Sequence, residues 1–205
     1  MIAIVDYGSG TIHAIQNIFT KLKIETFFAS NPDDLHKADK IILPGVGSFD
    51  EAMFQLESSG MKGALNDFAL VQKKPVLGIC VGMQVMAKSS DEGVMQGLGW
   101  FDARVKKFDE SKIPPKPKLP HMGWNEIQPK QENPLLKGID LEQGFYFIHS
   151  YYFNAHDSND ILLESNYGEA FSCAVRKGNI FGFQFHPEKS HSNGINLFKN
   201  FAEYS

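Results

Sequence analysis

Apolar positions in the first ninety residues follow two periods in alternation. Residues 1–6 (MIAIVD) are a short apolar run ending at a Tyr-Gly-Ser-Gly turn. Residues 11–23 carry Ile12, Ile15, Ile18, Phe19 and Leu22, the spacing of a helix with one buried face. Residues 24–29 predict a second strand, and residues 40–43 (KIIL) a third that runs into Pro-Gly-Val-Gly. Between them, Asn31-Pro32-Asp33-Asp34 predicts a helix start, with Asn31 as N-cap and Pro32 in the first turn. Two helical stretches cover residues 49–70. Residues 75–80 (PVLGIC) predict a fourth strand, and residues 83–88 the start of another helix. Strands alternating with helices imply a parallel sheet covered on both faces. Ligands of such sheets sit at the carboxyl ends of the strands.

From Gly97 the rhythm shortens. Residues 99–105, 144–150, 161–164, 171–176 and 180–185 look like strands joined by tight turns, with Lys177-Gly178-Asn179 as a hairpin turn. Residues 111–120 hold four prolines and predict a surface loop too short to link domains. Residues 191–202 predict a closing helix. The fold expected is α/β: an open, mostly parallel sheet flanked by helices, with an added C-terminal antiparallel strand set. Its 205 residues suffice for one large domain spanning 1–205 and are tight for two.

Charge narrows the function. A net charge of −4 and a pI near 6.0 argue against a nucleic-acid partner. No apolar run approaches the roughly 20 residues that span a bilayer. The first residues lack a basic leader, so a cytoplasmic protein without membrane partners is expected. Two cysteines, Cys80 and Cys173, exclude a disulfide framework as the means of holding the fold.

Gly78-Ile79-Cys80-Val81-Gly82 lies between a buried strand and a helix. This is the G-x-nucleophile-x-G elbow with cysteine in place of serine. A nucleophile on so sharp a turn holds strained dihedrals, and side chains two positions away would strike the adjoining strand and helix. The following helix is expected to favour a thiolate, and the Val81 N–H to point where an oxyanion forms. Cys173 lies mid-strand without a glycine frame and reads as a buried structural cysteine.

Phe183-Gln184-Phe185-His186-Pro187-Glu188 ends another apolar strand. In an extended chain, residues i and i+2 project to one side, roughly 6.5 Å apart. Glu188 then reaches the His186 imidazole while His186 faces the thiol. This is the logic of nucleophile, base and orienter.

At these residues the chain resembles class-I, triad-type glutamine amidotransferases, through Gly78-Ile79-Cys80-Val81-Gly82-Met83-Gln84. Asp6-Tyr7-Gly8, Pro44-Gly45-Val46-Gly47-Ser48-Phe49, His121-Met122-Gly123-Trp124-Asn125, Phe147-Ile148-His149-Ser150-Tyr151-Tyr152 and Phe185-His186-Pro187-Glu188-Lys189-Ser190 narrow it. Together they resemble the glutaminase subunits of imidazole glycerol phosphate synthase, in histidine biosynthesis. The resemblance implies a Cys80 thioester, with His186 protonating ammonia and activating water, and Glu188 completing the triad. It implies an oxyanion strand over Pro44 to Gly47, with Val46 and Gly47 acting with Val81, and glutamine contacts from Gly45, Gln84, Glu92, Ser150 and Tyr151. The partner implied is a (β/α)8 cyclase subunit in a heterodimer that receives the ammonia, met by Trp124, Asn125 and Lys189. The chain departs from the family at Thr11, Ile12 and His13, where asparagine and a serine-rich stretch are usual, and at Val81, usually leucine. Neither departure is expected to touch the triad.

The remaining histidines lack metal-ligand spacing, so neither metal nor organic cofactor is expected. His149 reads as a satisfied core histidine and His121 as structural or interfacial. Two other readings compete: a paralogous glutaminase feeding a sugar-amidinating synthase, and a non-catalytic scaffold. The complete triad opposes the second.

Overall fold

The computed structural model describes residues 1–8, 10–114 and 118–205. Ser9 of the first turn and residues 115–117 of the proline-rich loop lie outside the described residues. In chain order the first half contains β1 (Ile2–Val5), α1 (Ile12–Lys21), β2 (Thr26–Ala29), α2 (Pro32–Leu35), β3 (Lys40–Leu43), α3 (Phe49–Ser58), α4 (Met61–Asn66), β4 (Val76–Ile79) and α5 (Val81–Gln84). Next come β5 (Ser89–Ser90), β6 (Ala103–Lys107), β7 (His121–Asn125) and β8 (Gln128–Pro129). The chain closes with β9 (Phe145–His149), β10 (Tyr151–Ala155), β11 (Ile161–Tyr167), β12 (Glu169–Lys177), β13 (Ile180–Phe183) and α6 (His191–Glu203).

β1, β4 and β13 are buried at every position, as strands covered on both faces must be. The main sheet runs β2-β1-β3-β4-β13-β12-β10-β6-β5, with β11 attached to β12 and β8 to β11. Its first five strands are mutually parallel. The expected α/β fold with an added antiparallel set is therefore present. The refinement concerns β13. It returns from β12 through the Gly178-Asn179 turn as an antiparallel neighbour, yet lies parallel to β4, pairing Phe183 with Ile79. One strand thus belongs to both halves and delivers its carboxyl end beside that of β4.

Two helix starts, those of α2 and α3, carry side-chain caps. The Asn31 side chain accepts from Asp34 N, and the Ser48 side chain from Glu51 N. The helix expected over residues 83–88 is shorter and earlier: α5 is one turn, and residues 85–88 lie outside it. β7 and β10 add strands that the sequence pattern does not predict. β7 pairs antiparallel with β9 in a separate two-stranded sheet, His121 facing His149.

Candidate active site

Cys80 follows β4 with φ 55° and ψ −114°, a conformation that L side chains rarely adopt. The flanking glycines permit it. A Cβ on Gly82 would lie 1.9 Å from the Leu43 carbonyl oxygen, and one on Gly78 2.6 Å from the Gly82 oxygen. The Cys80 N–H donates to Phe183 O at 2.8 Å, tying the elbow to β13. The helix behind the elbow is a single turn, so the expected dipole at the sulfur has little length to act through. Two side chains act there instead. His186 lies close enough for Cys80 to raise its pKa, and Gln184 Nε2 donates to Sγ at 3.8 Å.

His186 Nδ1 donates to Glu188 Oε1 at 2.8 Å, and both side chains are at most 3% exposed. The contact does not come from the extended alternation that the sequence predicts. His186 is extended, but Pro187–Lys189 is a 3-10 turn that folds the carboxylate back onto the ring. His186 N donates to Tyr146 O at 2.9 Å, and its carbonyl accepts from Ser190 Oγ at 2.7 Å.

A second correction concerns Thr11, expected to lie clear of the triad. Its hydroxyl donates to Glu188 Oε1 at 2.7 Å, onto the oxygen that receives His186. Thr11 sits at the N-cap of α1 but makes no side-chain cap bond there. Glu188 Oε2 is buried without a hydrogen-bond partner among the described residues.

Burial alone would lower the His186 pKa. Hydrogen bonds and charge from Cys80 and Glu188 outweigh it and raise the pKa to about 10. Burial would raise Glu188, but His186 and Thr11 hold it below the usual carboxylate value. The protonated ring and ionised carboxylate support each other.

A cavity of about 400 Å³ opens over Cys80 and His186, a volume suited to a small polar ligand. Thr11, Val46, Gly47, Val81, Gln84, Glu92, Ser150, Tyr151 and Lys189 also line it. Gly45 is wedged behind the wall: a Cβ there would meet Gly82 N at 2.6 Å, and Tyr7 OH donates to Pro44 O at 2.6 Å. Val46 is 40% exposed, and Gly47 has φ +92° with open space beside it. Glu92 Oε2 accepts from Phe49 N at 2.8 Å, at the start of α3. Gln84 Nε2 donates to Tyr151 O at 3.1 Å and to Gln184 Oε1 at 3.0 Å. Gln184 is a site residue to which the sequence pattern assigns no role. Its only signal is its place two residues before His186.

Trp124 is 41% exposed and stacks on His191 with centroids 5.4 Å apart. Lys189 is exposed at the cavity rim, its Nζ 5.9 Å from the Tyr146 ring centre. Asn125 is half-buried, its amide donating to Asn166 O at 2.9 Å. Lys189 lines the cavity, whereas Trp124, Asn125 and Gly45 do not. Among the described residues, no cluster of three metal-binding side chains occurs, and no helix is long and apolar enough to cross a membrane.

A strained cysteine at the end of one parallel strand thus lies beside a carboxylate-held histidine at the end of the next, the grouping of nucleophile, base and orienter. The chain belongs to the class-I glutamine amidotransferase family, whose model matches residues 3–204. Its relatives place it more narrowly, with the HisH subunits of imidazole glycerol phosphate synthase. It is 50% identical to that subunit from Bdellovibrio bacteriovorus, over 99% of this chain and 100% of the relative. It is 44% identical to subunit HisH 2 from Pseudomonas aeruginosa, over 99% of both. Solved structures share the fold. PurLQS from Thermotoga maritima aligns at TM-score 0.75 and 17% identity, covering 99% of this chain and 97% of the other. A glutamine amidotransferase from Thermotoga maritima aligns at 0.64 and 16%, covering 98% and 82%.

Proposed function

We propose that this chain hydrolyses glutamine to glutamate and ammonia at Cys80 and passes the ammonia to a synthase subunit in histidine biosynthesis. The observation that carries the chemistry is His186 held between Cys80 and Glu188 at the floor of the cavity.

The Cys80 sulfur attacks the side-chain amide carbon of glutamine, and the carbonyl electrons move to oxygen. The N–H groups of Val81 and of the 46–47 segment meet that oxyanion. Protonated His186 gives its proton to the amide nitrogen, the C–N bond breaks and ammonia leaves. A thioester to Cys80 remains. Water then surrenders a proton to His186 and attacks the thioester carbon. The C–S bond breaks, glutamate departs and the sulfur is restored. Glu188 keeps the imidazole oriented throughout, and Thr11 holds Glu188. Glu92, Ser150, Tyr151 and Gln84 grip the amino-acid end.

The partner in this reading is a (β/α)8 cyclase subunit in a cytoplasmic heterodimer. It docks on Trp124, Asn125 and Lys189, and ammonia passes between the subunits. The whole chain acts as one domain. The adjustable part in this reading is the peptide at Gly47, whose positive φ and open surroundings let it turn at little steric cost. Partner binding shifts that peptide between states of different donor geometry, which requires differential affinity for them. Glutamine hydrolysis is measured for the chain alone, with the cyclase, and with the cyclase plus its nucleotide substrate. Strong hydrolysis only in the third mixture is expected. Equal rates in all three would remove the switching, and none in any would remove the assignment.

A further inference from the structure

His121 and His149 face each other across β7 and β9, and neither has a part in the chemistry above. Both are buried, at 3% and 6% exposure. His121 is stacked between Phe147, centroids 4.8 Å apart, and Tyr167, at 4.1 Å. Phe108 and Phe171 close around His149 at 5.3 Å each. Rings so enclosed have little freedom to turn.

Their nitrogens form a ladder whose polarity is fixed at both ends. Asn125 Nδ2 donates to the Asn166 carbonyl, which settles the orientation of that amide. The same Nδ2 lies 3.2 Å from His121 Nε2, so Nε2 accepts and the His121 proton sits on Nδ1. His121 Nδ1 is 3.0 Å from His149 Nε2, which accepts in turn. The His149 proton therefore lies on Nδ1, 2.8 Å from the Tyr151 carbonyl. Each step admits one tautomer, and a second proton on either ring would set N–H against N–H. Burial lowers His121 to about 4, and burial with the neighbouring His121 lowers His149 to about 3, so both are neutral at pH 7.

The ladder does not stop at Tyr151. Its carbonyl also accepts from Gln84 Nε2, Gln84 donates to Gln184, and Gln184 donates to the Cys80 sulfur. We propose that His121 and His149 are positioning residues of the glutaminase site, acting through the Tyr151 carbonyl to set the Gln84 and Gln184 amides against Cys80. The inference rests on the glutaminase reading for its consequence but not for its geometry. It also makes β7, whose neighbouring Trp124 is exposed, a mechanical input to the nucleophile.

Nitrogen NMR of the histidine rings in the unsubstituted full chain tests the ladder itself. Both rings are expected as Nδ1–H tautomers at pH 7, and an Nε2–H tautomer in either would overturn it. Iodoacetamide alkylation of Cys80, with protection by glutamine, tests the consequence. His121→Phe keeps the stack and removes the ladder. It is expected to shift the alkylation rate or weaken glutamine protection by about fivefold, the effect of one lost neutral hydrogen bond. Asn125→Asp places an acceptor against an acceptor without touching either ring, and is expected to turn His121 to Nε2–H with a similar loss. Alkylation and protection unchanged in both variants would refute the positioning role. If His121→Phe fails to fold, Asn125→Asp and the ring tautomers decide. If glutamine fails to protect Cys80 in the unsubstituted chain, the glutaminase reading fails, while tautomers and alkylation rates still judge the ladder.

Discussion

The two walls of the cavity are built to different standards. On the β4–β13 wall, Cys80, His186 and Glu188 are nearly fully buried, and each is held by named contacts. On the facing wall, Val46 is 40% exposed, and Gly47 keeps a positive φ in open space. The difference matches the division of parts in the proposed mechanism. Proton transfer and nucleophilic attack need fixed distances, and they fall on the packed wall. In the proposed mechanism oxyanion stabilisation needs only a peptide correctly turned, and it falls on the more exposed wall. Under the proposed switching, a complete triad beside an adjustable donor is kept silent without being dismantled.

Removing a member of the packed wall is expected to have the largest effect. Cys80→Ala or His186→Ala should reduce glutamine hydrolysis by at least about 10⁴-fold, with the partner present. Glu188→Gln should be less damaging by about tenfold or more, because an orienting group transfers no proton. Steady-state kcat values with Glu188→Gln below His186→Ala would reverse the roles.

Glycine substitutions sharpen the contrast between walls. In Gly82→Ala the new Cβ would stand 1.9 Å from the Leu43 carbonyl oxygen, a backbone atom that cannot yield cheaply. A loss of about 3 kcal/mol or more in denaturant unfolding is expected. Gly47→Ala has open space and faces only the left-handed penalty of about 1–2 kcal/mol. Its main effect should appear in kcat with the partner bound. Equal destabilisation by the two would erase the distinction.

Thr11→Val removes one hydrogen bond to a buried carboxylate, worth roughly 1.5–3 kcal/mol locally. Through the imidazole it should lower kcat by about tenfold while leaving KM near its starting value. A KM effect without a kcat effect would place Thr11 in binding instead.

The last expected effect is on stability against pH, and here the histidines oppose one another. His186 is raised from an ordinary 6.5 to about 10, so its contribution is full below 6.5 and fades as pH rises toward 10. His121 and His149 are lowered to about 4 and about 3, so the unfolded chain binds more protons below 6.5. Their neutral burial therefore costs stability as pH falls from 6.5 toward 4. Urea midpoints across pH should show His121→Phe with a shallower acid slope and His186→Gln with a shallower alkaline one. Parallel profiles for all three proteins would contradict both assignments.

Much of the packed wall is legible in the sequence, because strand, glycine frame and nucleophile occupy adjacent positions. Residues 76–82 carry the whole elbow, and residues 180–188 the base with its orienter. What stays hidden depends on distant pairing. Thr11 meets Glu188 across 177 positions and Gln84 meets Gln184 across 100. β7 escapes for another reason. It buries His121 and exposes Met122 and Trp124, inverting the polarity by which a strand is recognised. The inversion fits the roles proposed for β7, a docking face and a buried ladder on one strand.

The central claim is that Cys80, and no other thiol, carries the glutamyl group. Rapid acid quench of the partner-bound chain during glutamine turnover, followed by mass spectrometry of its peptides, tests it directly. A glutamyl thioester on the Cys80 peptide is the expected result, with Cys173, buried and well above the usual thiol pKa, unmodified. Turnover with an adduct on Cys173, or turnover undiminished in Cys80→Ala, would contradict the account.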